Sequence, residues 1–270
     1  MGKFDSSLTR VQPVFKALYW QDTTGEAWLR RLLGMAQREA GAETVAVPAA
    51  LGYLAAPPQF EFPVNPPKDC LEWLITHPQA LASPPENEWG KWSARTREKR
   101  KALLAGDPAI QAEAIAELQK RCCLSQRAWW RLEGVTYVDC ALLTETTVIF
   151  VEGKRTEMGP SKRVLWYPGR NQVLRVLDCA AAHAQQTHRK HYFAILVVEE
   201  ELVKGEPIRQ AEIEGVTWPS TVRDSLPHLT DEERTALLSH YLGVTTWQAI
   251  VTDLDLGNEV LVDDVAPLEI

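Results

Sequence analysis

The sequence predicts an α/β (α+β) domain, a mixed central β-sheet flanked by helices with a mostly helical region ahead of it. Two observations carry this reading. An amphipathic helical pattern over 108–122 leads into a run from Trp129 to Lys154 dense in Val, Ile, Thr, Tyr and Phe. A second amphipathic helix then follows directly on that run, and behind it comes the apolar strand 192-YFAILVV-198. Helix, hairpin, helix and strand in one domain give a mixed sheet with helices on its faces.

The elements follow in chain order. Trp28, Leu29, Leu32, Leu33 and Met35 have helical spacing, which predicts a first helix over 26–39. Six prolines between Val45 and Lys68 predict an extended connection, because proline is excluded from helix interiors and central strands. A helix is expected over Asp69–Thr76, and Ser83 is a suitable cap for a basic helix over 84–104. Asp107 caps the helix from Pro108, and the hairpin turns at Glu145 and Thr146. Asn171 caps the next helix, whose buried side is Val173, Leu174, Val176, Leu177, Ala180, Ala181 and Ala184. Beyond it, a helix near 231–242 and short strands near 248–252 and 259–262 are expected. This divides the chain into a helical N-terminal region (1–106, with the Pro-rich connection 45–68), a core (107–200) and an acidic C-terminal extension packed on it (201–270).

With 270 residues, 45% hydrophobic and 24% charged, the chain is long enough to bury a sizeable core, which excludes general disorder. It has neither a membrane-length apolar stretch nor a signal-peptide pattern, so a cytoplasmic protein is expected. Five cysteines without a C-x-x-C pair read as reduced core residues. Cys179 with His183, His188 and His191 has spacing that matches no usual zinc ligand set. Ten tryptophans without a fixed period exclude a propeller or repeat array.

The net charge of -7 argues against a nucleic-acid partner, but its distribution does not. Residues 199–270 hold 16 acidic and 4 basic side chains, a balance of -12, so residues 1–198 carry +5. Two basic stretches, 91–101 and 154–175, each hold six basic residues against one glutamate. The first is as readily a solvated helix face, and the tryptophans beside it, Trp89 and Trp92, are more often core than base-stacking residues.

The chemistry is read from the hairpin. Strand side chains alternate, so Glu152 and Lys154 share a face. A two-residue turn at Glu145-Thr146 places Asp139 directly across from Glu152, whereas a three-residue turn separates them. Two converging carboxylates repel, and a hard divalent cation relieves that cost; Mg²⁺ fits best.

This segment resembles the PD-(D/E)XK nuclease superfamily: Val138-Asp139, twelve residues, then Glu152-Gly153-Lys154, with the family's proline before the aspartate missing. The resemblance covers roughly residues 108–200 and implies the restriction-endonuclease-like fold. It further implies Mg²⁺ (Mn²⁺ as a substitute) held by Asp139, Glu152 and the Gly153 carbonyl, with Lys154 at the attacking water. Members of the family also place a glutamate on the preceding helix, for which Glu117 is preferred to Glu113, and a glutamine on the following one, here Gln172. Arg170, Arg175, Arg155, Lys162 and Arg163 are the expected phosphate contacts. The expectation is a metal-dependent nuclease acting on DNA rather than RNA, in restriction, repair or phage defence, alone, as a homodimer or with a partner subunit. The alternative is a catalytically silent relative that binds nucleic acid or serves assembly.

Overall fold

A computed structural model of the chain describes residues 6–36, 45–82, 84–89, 91–120, 128–155, 164–200 and 215–261. A π-helical turn (Ser7–Val11) runs into helix α1 (Gln12–Gln21), followed by α2 (Leu29–Met35), strand β1 (Gln59–Val64), α3 (Lys68–Thr76), α4 (Ala94–Leu104) and α5 (Pro108–Lys120). The hairpin strands β2 (Thr136–Leu143) and β3 (Thr147–Gly153) come next, then α6 (Gln172–Gln186), β4 (His191–Val198), α7 (Pro219–Ser225), α8 (Asp231–Leu238), β5 (Tyr241–Thr246) and α9 (Trp247–Asp253). The five strands form one mixed sheet in the order β1-β2-β3-β4-β5. The pairs β1/β2 and β2/β3 are antiparallel, and β3/β4 and β4/β5 are parallel.

The Pro-rich connection holds a strand that the proline count hid. Pro63 is tolerated because β1 lies at the sheet edge, where a missing N–H costs no ladder bond. At the other end, 241–246 is the strand and 247–253 a helix, the reverse of the predicted strand near 248–252; the one expected near 259–262 falls on a short 3₁₀ turn (Asn258–Val260) and residues outside the described range. Trp247, Ile250, Val251 and Leu254 are buried at helical spacing, and the Thr246 hydroxyl caps the helix by accepting from the Ala249 amide at 3.1 Å. The sheet therefore draws strands from all three predicted segments, and its core is not confined to 107–200.

Other boundaries shift more modestly. The first helix is shorter than expected, and 37–44 lie outside the described residues. The basic helix begins ten residues late, at Ala94, where Ser93 accepts the capping bond from the Thr96 amide at 3.2 Å; Ser83 lies outside the described residues. Caps at Asp107 and Asn171 form as read, each aspartate or asparagine oxygen accepting two backbone amides.

The sheet separates two apolar layers. On one face Val173, Leu174, Leu177 and Ala180 of α6 pack on Val148, Phe150, Ala194 and Leu196. Against the other, Val14, Phe15 and Leu18 of α1, Leu29 and Leu32 of α2, and Trp247 and Ile250 of α9 cover Ile149, Val151, Ile195 and Val197. A third cluster joins α3, α4 and α5 through Leu71, Leu74, Leu103, Leu118 and Trp130. Trp89 and Trp92 belong there too: Trp89 is buried, and the Arg100 guanidinium lies 4.7 Å from the Trp92 ring centroid and 5.1 Å from that of Trp166. No helix among the described residues is long and apolar enough to cross a membrane.

Candidate active site

Hairpin register decides whether the two carboxylates meet. The pairs run from Leu143↔Val148 to Cys140↔Val151, and the Thr144 amide donates to the Thr147 carbonyl at 2.9 Å. Glu145 and Thr146 thus form a two-residue turn without a glycine or asparagine. A tertiary contact substitutes for the missing turn chemistry. The hydroxyls of Thr144, Thr146 and Thr147 all donate to the Leu51 carbonyl, while Thr144 Oγ1 accepts from the amides of Thr146 and Thr147. The paired stretch ends at Cys140↔Val151, and the next residue of each strand is Asp139 and Glu152, whose carboxyls lie close enough for the Glu152 charge to act on Asp139.

The neighbouring edge strand is turned over at the same level. Phe60 and Phe62 are two residues apart yet pack on opposite sides of the sheet, as do their partners Cys140 and Val138. Between them Glu61 takes a left-handed φ of 47°, in the stretch of β1 between the residues paired with Cys140 and Val138. Such backbone is costly for a non-glycine residue and marks a position held by its surroundings. A third carboxylate is thereby added beside the pair, and Glu61 helps push the Asp139 carboxyl upward. Sequence reasoning missed it. The signal was an acidic residue between two phenylalanines in 60-FEFPV-64, the same anomaly that singled out Asp139, obscured by the surrounding prolines.

Glu152 is 1% exposed. Its Oε1 accepts from Lys154 Nζ at 2.8 Å and from Gln172 Nε2 at 2.5 Å, whereas its Oε2 is buried with no hydrogen-bond partner among the described residues. Asp139 Oδ2 accepts from the Gly153 amide at 2.7 Å. The Asp139 carboxyl is pushed up to about 8, first by burial and then by the Glu152 charge, with the Gly153 amide and Lys154 opposing. Gly153 is dictated by packing. A Cβ there would lie 2.6 Å from Val11 Cγ2 and 2.8 Å from Trp247 Cζ2. The main chain of Lys154 is clamped on both sides, its amide donating to the Val197 carbonyl at 2.8 Å and its carbonyl accepting from Trp247 Nε1 at 3.0 Å.

Asp139, Glu152, Gly153, Lys154 and Gln172 therefore come together, and Arg175 follows Gln172 by three residues on α6, half-buried, its Nε without a partner among the described residues. Other expected residues do not join them. Glu117 is engaged elsewhere, accepting from the indoles of Trp129 at 3.0 Å and Trp130 at 2.9 Å, and Glu113 pairs with Lys99. Arg170 is no surface contact. It is 0% exposed and lies between Glu133 Oε2 at 3.2 Å, Asp178 Oδ2 at 2.5 Å and the Ser225 carbonyl at 2.8 Å, a core ion network. Arg155 is also buried, which removes it from an open phosphate groove. Lys162 and Arg163 lie outside the described residues. Glu133 is the buried partner of Arg170.

The donor set suits a hard cation. The unpartnered Glu152 Oε2 and the Asp139 carboxyl supply oxygens on one face, and Lys154 balances part of their charge. Comparison with protein-family models, curated proteins and solved structures gave no match.

Proposed function

We propose that this chain is a metal-dependent nuclease of the PD-(D/E)XK type, hydrolysing phosphodiester bonds of nucleic acid, DNA in preference to RNA. The observation that carries the reading is the meeting of Asp139 and Glu152 across the hairpin, with Lys154 and Gln172 both on one oxygen of Glu152 and the other oxygen unpartnered. The antiparallel hairpin followed by a helix and a parallel strand supports the restriction-endonuclease-like reading of the core.

Asp139, Glu152 and the Gly153 carbonyl would hold Mg²⁺ or Mn²⁺. When bound, such a cation neutralises a phosphate oxygen and acidifies a water. The protein's own groups do the rest. Gln172 fixes Glu152 through Oε1, which leaves Oε2 for the cation. Lys154, anchored through its main chain, presents an ammonium beside the carboxylates, where it orients the attacking water and offsets charge growing on the phosphate. Arg175, half-buried in the first turn of the same helix as Gln172, provides a forked donor set for a phosphate.

The test is incubation of the purified protein with circular single-stranded DNA, double-stranded DNA and RNA, in Mg²⁺, Mn²⁺ or EDTA, beside Lys154→Ala. Cutting that requires metal and vanishes in the variant is expected. Intact substrates throughout, with no calorimetric Mg²⁺ or Mn²⁺ binding that depends on Asp139 and Glu152, would instead favour the silent binding module.

A further inference from the structure

Away from the hairpin, three side chains from separate parts of the chain converge: Cys70 on α3, Asp178 on α6, and His228 in the connection between α7 and α8. Their ligand atoms, a thiol sulfur, a carboxylate oxygen and an imidazole nitrogen, all lie within 4.8 Å of one another. Tetrahedral zinc ligands at bond lengths of about 2.0–2.3 Å sit roughly 3.5 Å apart, so side-chain movements of about 1 Å would close the set. Thiolate, imidazole and carboxylate together select zinc over Mg²⁺ or Ca²⁺.

Two further observations point to a ligand. The His228 side chain is 1% exposed, its Nε2 faces Asp178 Oδ2 at 3.3 Å, and its Nδ1 is buried with no hydrogen-bond partner among the described residues. Glu133 Oε1 is likewise buried without a partner among the described residues, while Oε2 of the same carboxylate accepts from Cys70 Sγ at 3.7 Å. There is also a way in: Asp178 lines a cavity of about 350 Å³ whose wall includes Asp69 and Glu233, an acidic approach for a cation.

We propose that Cys70, Asp178 and His228 form a zinc site, separate from the carboxylate pair on the hairpin, with a water as the fourth ligand. It ties the N-terminal helical layer, the central helix α6 and the segment before α8 to one point, and Arg170 with Glu133 surrounds it as a second layer that orients Asp178.

The experiment uses the full chain carrying Asp139→Asn and Glu152→Gln, so that the hairpin carboxylates do not contribute. After EDTA treatment and dialysis, Zn²⁺ is titrated calorimetrically, and Co²⁺ is added in parallel to read the thiolate-to-cobalt charge-transfer band in the near ultraviolet. One equivalent of Zn²⁺, a cobalt band, and a thermal midpoint that rises with Zn²⁺ are expected, all abolished by Cys70→Ser. Because Cys70 lies in a core, His228→Asn is measured as well, and it should abolish zinc binding while the chain stays folded. Absence of binding in the parent, or binding that survives both substitutions, overturns the site.

Discussion

The Gly153 amide donates to Asp139 Oδ2 at 2.7 Å, joining the two hairpin strands at the level where their carboxylates face each other. That bond holds Asp139 toward Glu152 rather than letting the two charges swing apart. The repulsion is stored in the folded state.

Metal-free stability should therefore depend on pH with a definite sign. An unfolded aspartate titrates near 3.9, whereas Asp139 in the fold is raised to about 8, so the folded state retains the proton longer. Its favourable contribution is complete below about pH 4 and is lost as pH rises through about 8. In EDTA the thermal midpoint should fall between pH 5 and 9, with Mg²⁺ or Asp139→Asn flattening the slope. A slope of the same size in Asp139→Asn would rule out this origin.

Gly153→Ala should destabilise the protein by about 1–3 kcal/mol, the usual cost of overpacking, because the new methyl meets Val11 and Trp247 at once. Urea denaturation followed by tryptophan fluorescence reads it. A change under about 0.5 kcal/mol would mean that the strand end relaxes freely.

Gln172→Ala removes one donor on Glu152 Oε1. Metal affinity or turnover should drop by about 10–100-fold, the range for groups that orient a ligand, with the melting temperature unchanged. Equal metal binding and cutting by variant and parent would deny Gln172 a positioning role.

Arg170 and Arg175 should separate cleanly although they are five residues apart. Arg170→Met leaves Glu133 and Asp178 buried without their cation, at a cost of about 3–5 kcal/mol. Arg175→Ala should spare stability and weaken nucleic-acid binding in a filter or anisotropy assay. If Arg170→Met folds normally and binds less nucleic acid, the assignment of the two arginines is reversed.

How much of this was legible in the sequence follows from the range of the forces involved. The hairpin register was readable because strand alternation and a two-residue turn are local, and Asn171 declared the helix that delivers Gln172. The turn itself was unfavourable on local grounds and forms because Leu51, some ninety residues earlier, accepts from three threonines. Glu61 and the strand around it were hidden because edge position, which excuses Pro63, is a property of the assembled sheet. Arg170 read as a phosphate contact because a buried ion network looks the same in sequence as a basic surface. The reversal at 241–253 arose from short apolar runs that fit either period until a cap and a packing face choose.

The clamp on Gly153 and Lys154 has a temporal side. Val11 presses on the strand end from early in the chain, whereas Trp247, which presses beside it and holds the Lys154 carbonyl, is more than ninety residues later than that lysine. A nascent chain leaving the ribosome thus carries Asp139, Glu152 and Lys154 well before it can set them. Contacts of such long sequence separation form late and slowly. On the proposed nuclease reading, activity should accordingly switch on only when synthesis has passed the ninth helix, and ribosome-stalled fragments ending before Trp247 should leave nucleic acid uncut.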